Sequence, residues 1–106
     1  MLSLTSLVRA AKKSNHHSQK HACIVFRGGA VVSVATNDSR RHAEVRALSK
    51  VKDCKNAVVL SVRVGKGGNL RNARPCDACM EFLRSRGVCT VLYTSQDGLI
   101  ERMEIE

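Results

Sequence analysis

Aromatic side chains are scarce in this sequence. They make up 3% of its 106 residues, as Phe26, Phe82 and Tyr93, with no tryptophan. Aliphatic residues must therefore build the core, and few rings are on hand to stack against a base. Acidic residues are missing from the first third, where none precedes Asp38. No apolar run approaches the roughly 20 residues that a membrane-crossing helix needs, so no membrane partner is expected. A complete disulfide framework would leave one of the five cysteines over. The spacing Cys76-Asp77-Ala78-Cys79 instead suits metal or redox chemistry. A reducing, cytoplasmic compartment follows as the expectation, and secretion does not.

Hydrophobic residues reach 43%, enough for a folded globule, and residues 1–106 suit one domain with no room for a second. A chain of this length buries about two-thirds of its unfolded surface, an adequate core without reserve. The formal net charge is +9, which attracts a polyanion or a phosphorylated small molecule over several ångströms and does so less as salt rises. Acidic residues return at the end, between Glu101 and Glu106, so one side of the molecule should be more basic than the other. The basic, acid-free opening resembles a transit peptide, but the same residues are needed as a helix in the fold expected below.

Leu4, Leu7, Val8 and Ala11 recur at helical spacing opposite Arg9, Lys12 and Lys13, which predicts a first amphipathic helix. Residues 14–20 are polar and break it, and His16, His17 and His21 read as part of that polar loop. Residues 22–26 and 30–35 predict two strands joined by a turn at Arg27-Gly28-Gly29. A second helix follows, capped by Asp38 or Ser39, with Val45, Leu48 and Val51 on one face. Residues 56–64 are apolar nearly throughout, as a central strand covered on both faces should be. The glycine-rich basic stretch 65–74 reads as a flexible loop, because it lacks the Gly-Lys-Ser/Thr ending of a phosphate loop. A third helix is expected over 76–86, begun by Pro75 and stopped by Gly87. Strands over 88–94 and 99–105 close the chain around a turn at Gln96-Asp97-Gly98. The order α-β-β-α-β-α-β-β predicts an α/β fold: a three-layer α/β/α sandwich on a mixed five-stranded sheet, its last two strands antiparallel.

Two short motifs carry chemistry. His42-Ala43-Glu44 opens the second helix and Pro75-Cys76-Asp77-Ala78-Cys79 opens the third. Each is weak alone, since a lone Cys-x-x-Cys could equally be a redox pair. Both helices follow strands of one sheet, however, so their N-termini can converge at its edge. His42 then offers one nitrogen, while Cys76 and Cys79 offer two thiolates within one helical turn. Three protein ligands leave the fourth tetrahedral position of a zinc ion open to water, which distinguishes catalytic from structural zinc. The positive ends of the helices favour thiolates there. Zinc lowers the pKa of bound water to about 7. Glu44, two residues past a ligand, can take that water's proton and pass it on.

This pair of motifs resembles the signature of the zinc-dependent cytidine deaminase-like superfamily, and the element order is similar to that family's sheet. The resemblance implies Zn2+ as cofactor and hydrolytic deamination, with Glu44 catalytic and His42, Cys76 and Cys79 as metal ligands. The expected hairpin of the final strands is similar to the cytidine and deoxycytidylate deaminase branch, because the residues after Thr94 cannot hold a helix and another strand. Arg74 stands before Pro75 where adenosine deaminases of tRNA and riboflavin-pathway deaminases usually have Glu. An Asn at the position of Asn37 often contacts the sugar in related enzymes; the other reading of Asn37 is as a cap of the loop. Ser39 stands where free-nucleoside cytidine deaminases carry the Glu of Asn-x-Glu.

Arg40, Arg41, Arg71 and Arg74 crowd the two motifs. Planar guanidinium groups suit phosphate, so these arginines and Asn37 are the expected substrate-binding residues. The resemblance implies conversion of cytosine to uracil in a free nucleoside or nucleotide, such as cytidine, deoxycytidine or dCMP. The charge also supports a deaminase of single-stranded DNA or RNA, against which the shortage of aromatic platforms weighs. Two further readings stay open: a non-catalytic zinc-bound module that binds nucleic acid, against which Glu44 weighs, and a redox protein using Cys76 and Cys79. The resemblance also implies a homo-oligomer whose neighbouring subunits complete the pocket, which the shortage of rings suits. Cys23, Cys54 and Cys89 are expected in core or surface positions, with Cys23 and Cys89 as small buried residues on strands. Met80, Phe82 and Leu83 are expected to pack the core from the third helix.

Overall fold

Alternation along the strands decides which side chains reach the site. In the computed structural model, which describes residues 20–37, 42–65 and 69–105, the first strand β1 (Lys20–Arg27) turns His21, Cys23 and Val25 to one face and Ala22 and Ile24 to the other. The hairpin at Gly28-Gly29, both with φ above +60°, returns the chain as β2 (Ala30–Thr36), as the sequence predicts. Helix α1 (Ala43–Ser49), strand β3 (Val58–Val64), the two-residue strand β4 (Leu70–Arg71), helix α2 (Asp77–Ser85) and strands β5 (Thr90–Thr94) and β6 (Ile100–Glu104) follow. The first expected helix, on Leu4, Leu7, Val8 and Ala11, lies outside the described residues.

The sheet runs β2-β1-β3-β5-β6. β3 and β5 are parallel, the remaining pairs antiparallel, and the last two strands form the expected hairpin. Among the described residues the sheet has six strands, the five expected in one order and a short sixth beside β3. Leu70 and Arg71, expected in a loop, pair with Val64 and Arg63 of β3. β3 is longer than its contact with β5, which ends at Ser61 and Tyr93, so its last residues need other partners for their backbone groups. Thr94 fills the fork. Its hydroxyl accepts the Arg63 N–H at 3.2 Å and donates to the Arg71 carbonyl at 2.8 Å.

Both described helices pack on one face of the sheet. There Cys23, Val25, Ala35, Val59 and Val91 meet Ala43, Ala47 and Leu48 of α1 and Leu83 of α2, with Met80 and Phe82 partly buried against them. The opposite face is also apolar, with Ala22, Ile24, Leu60, Val62 and Val64 buried. A sheet covered on both faces is what a three-layer arrangement requires. Gly87 ends α2 with φ +87°, and a Cβ there would stand 3.0 Å from the Lys55 Cα, so backbone packs on backbone at that corner.

Four expectations need correction. His21 belongs to β1, not to the polar loop before it. It shares the helix-facing parity of Cys23 and Val25 and is buried. The buried stripe of α1 is Ala43, Glu44, Ala47 and Leu48, while Val45 is half-buried and Val51 follows the helix. The i, i+4 pairs Ala43/Ala47 and Glu44/Leu48 set that stripe. The N-cap of α1 is His42, and Asp38 and Ser39 lie outside the described residues. Cys89 is half-buried just ahead of β5, its thiol donating toward the Ala57 carbonyl. None of the described helices is long and apolar enough to cross a membrane.

Candidate active site

β2 and β3 both run antiparallel to β1, so they point the same way and their C-terminal ends share one edge of the sheet. α1 follows β2 and α2 follows β3, which brings both helix starts to that edge, the usual place for a ligand in such sheets. The two N-cap residues are His42 and Cys76, each with extended backbone and neither using its side chain as a cap. Their imidazole and thiol are left for other partners. β1 begins at the same edge, and His21 with it.

Three of the four expected residues lie together among the described residues. Cys79 Sγ lies 3.6 Å from His42 Nδ1, and donor atoms of His42, Glu44 and Cys79 all fall within 4.8 Å of one another. Cys76 is exposed and lies outside that group, with Cys79 as its neighbour one helical turn on. The Cys79 backbone N–H, its side chain and the Ala78 N–H hold the Cys76 thiol below its ordinary pKa. The Cys79 thiol moves the other way, pushed well up by burial, by the Glu44 charge and by hydrogen bonds with Cys76 and Glu44. A buried thiol beside a buried carboxylate keeps its proton unless a cation is added. Glu44 is 1% exposed, and its Oε1 has no hydrogen-bond partner among the described residues. One imidazole nitrogen and two sulfurs form a borderline-soft donor set suited to zinc. The orphaned carboxylate oxygen at its side adds a base. The residues present fit zinc.

Sequence reasoning missed two neighbours. His21 Nε2 lies 3.3 Å from Glu44 Oε1 and 2.5 Å from the Ser61 hydroxyl. Burial is the main cause of its lowered pKa; Arg63 and His42 act in the same sense and Glu44 opposes them. Arg63, the cross-strand partner of His21, has a buried Nε without a hydrogen-bond partner. The signal for both was the period-2 pattern: residues 21, 61 and 63 share parity with the helix-facing positions of their strands.

Among the expected substrate-binding residues, Asn37 is half-buried and pairs with the start of β1. Its Oδ1 accepts the His21 N–H and its own N–H donates to the His21 carbonyl, both at 3.0 Å. Arg71 is exposed on β4 opposite Arg63. Arg74 is exposed two residues before Cys76, its backbone N–H held by Asn72 Oδ1 at 2.9 Å. Arg40 and Arg41, like His16 and His17, lie outside the described residues.

No family model matches the sequence, and neither does any curated protein. Among solved structures the chain is similar to the dCMP deaminase from the cyanophage S-TIM5 in apo form, at a TM-score of 0.60 and 18% identity. That alignment covers 90% of this chain and 85% of that one. At such identity the likeness speaks for the fold, and the fold of this chain is the mixed α/β sheet of that deaminase.

Proposed function

We propose that the protein is a zinc-dependent deaminase that converts cytosine to uracil in a free nucleoside or nucleotide. The observation that carries this reading is the meeting of His42, Glu44 and Cys79 at one sheet edge, where Cys76, also a free thiol, begins the helix that carries Cys79. The dCMP deaminase of similar fold supports the same reaction class. His42, Cys76 and Cys79 would hold the zinc, which would supply a Lewis acid that makes hydroxide available near neutral pH.

Glu44 does the proton work. Its carboxylate takes one proton from the attacking water and gives it to the ring nitrogen N3 as the new C–O bond forms at C4. It then takes the remaining hydroxyl proton and gives it to the amine. The C4–N bond breaks, ammonia leaves and a carbonyl remains. One water is consumed for each ammonia released, and no redox partner is needed. Burial keeps this carboxylate out of bulk water, so protons pass between substrate and Glu44 rather than to solvent.

Arg71 and Arg74, with Arg40 and Arg41, are assigned to a substrate phosphate. Planar, permanently charged groups at the mouth of a site bind a nucleotide better than its nucleoside. The test is to incubate zinc-loaded protein with cytidine, deoxycytidine, dCMP, single-stranded DNA and single-stranded RNA. Mass spectrometry reads the change from amine to carbonyl. Conversion of dCMP is expected, lowered about 10²- to 10⁴-fold by Glu44→Ala, and Arg71→Ala should raise KM for dCMP more than for deoxycytidine. Conversion of polymer alone would move the assignment to a nucleic-acid deaminase, which the charge of +9 also suits. No conversion of any substrate would favour a zinc-bound binding module.

A further inference from the structure

Glu44 must enter its reaction at a fixed angle, and a glutamate has three side-chain torsions to restrain. The helix that carries it is seven residues long, and its carboxylate oxygen Oε1 is buried without a hydrogen-bond partner. Burying such a group costs several kcal/mol unless something compensates it. The nearby polar group on the sheet side is His21 Nε2, at 3.3 Å. The carboxyl thus has the imidazole of His21 at 3.3 Å and donor atoms of His42 and Cys79 within 4.8 Å.

His21 is itself anchored. It is 3% exposed, its backbone is paired with β3 and held by Asn37, and its Nε2 meets the fully buried Ser61 hydroxyl. Ser61 pairs with Cys23, two residues along β1 from His21, so the imidazole reaches it diagonally across one face of the sheet. The tautomer follows from the acceptors. A carboxylate only accepts, so a lone pair on Nε2 facing it at 3.3 Å would be repelled. A proton on Nε2 is attracted by both oxygens, and the serine hydroxyl rotates to accept it. The contact to Glu44 is long and poorly aligned at rest, as catalytic hydrogen bonds commonly are before substrate binds.

We propose that His21 is the positioning residue for Glu44: an Nε2–H imidazole, anchored by Ser61, that orients the carboxylate toward the attacking water. This rests on the deaminase reading above. The arrangement has the logic of an outer-sphere partner, which orients a working group without touching substrate. It links β1, β3 and α1 by one residue each.

The test compares His21→Leu, which removes the donor, with His21→Gln, which keeps an amide donor near the position of Nε2. Zinc-loaded protein is used for all variants, with zinc content, Tm, kcat and KM measured on the best substrate of the wild type. His21→Leu should lower kcat about 10- to 100-fold with KM and zinc content unchanged, and His21→Gln should restore most of it. Nitrogen NMR of the wild-type imidazole should find the proton on Nε2, independently of turnover. Ser61→Ala should lower kcat by a smaller factor, and it carries the comparison if His21→Leu does not fold. Equal kcat in wild type and variants, a Gln variant no better than Leu, zinc loss that tracks the loss of kcat, or a proton on Nδ1 would each overturn the proposal. A wild type that converts no substrate overturns the deaminase reading and this proposal with it. An active wild type with indifferent variants overturns the proposal alone.

Discussion

At one end of β1, Arg27 and Asp53 form an ion pair at 2.9 Å, their side chains 44% and 61% exposed. At the other end of the same strand, His21 and Glu44 stand 3.3 Å apart, at 4% and 1%. The two contacts have similar length and opposite meaning. Water screens the first pair, and either member can return to solvent at little cost. The second has no such refuge, so its groups must be satisfied by each other, by Ser61 and by whatever the cluster binds. Four of the six buried polar side chains among the described residues gather at this end: His21, Glu44, Ser61 and Thr94, each no more than 3% exposed. A small fold with a modest core tolerates such a concentration only where it is used.

Removing groups from the two ends should therefore have unequal effects. The largest is expected for Cys79→Ala, which deletes a buried sulfur from the donor set. Zinc content should fall from stoichiometric to trace, and deamination with it; a variant that keeps full zinc would show that Cys79 is not a ligand. Thr94→Val comes next. It leaves the Arg63 N–H and the Arg71 carbonyl without their partner in the sheet fork, which should cost about 1–3 kcal/mol in urea unfolding. A neutral result would mean that water replaces the hydroxyl there. Asp53→Ala, at the solvent end, should change stability by no more than about 1 kcal/mol and leave activity alone. A larger loss would erase the contrast between the ends.

Elements and motifs were legible in the sequence because they rest on local rules. Alternation marked β1 and β2, and glycines marked the hairpin and the stop of α2. The paired motifs marked the edge at which the helices begin. His21 was harder. Its sequence neighbourhood, His16-His17-Ser18-Gln19-Lys20, is polar and reads as loop, and only the strand's parity shows that its ring turns inward. β4 escaped for a different reason. Two residues carry no period, and their pairing is dictated by the unpaired end of β3, a tertiary demand. Val45 was assigned to the buried stripe by helical spacing alone, which fixes the width of a stripe but not its rotation about the helix axis.

The fork at Thr94 has a consequence for chain length. The Gly65 N–H donates to the Asn69 carbonyl at 2.9 Å and closes the neck of the loop between them. Beyond that neck, the Thr94 hydroxyl holds Arg71 and the Thr94 carbonyl accepts the Ala73 N–H at 2.9 Å. Residues added between Gly65 and Asn69 would lengthen a loop whose ends are already fastened, which costs little. One residue added between Ala73 and Cys76 would shift the start of α2, and the Cys76 sulfur proposed to hold zinc, by the 3.8 Å step of the backbone. The segment thus divides into a stretch open to insertion and a stretch of fixed length, with the boundary at one threonine.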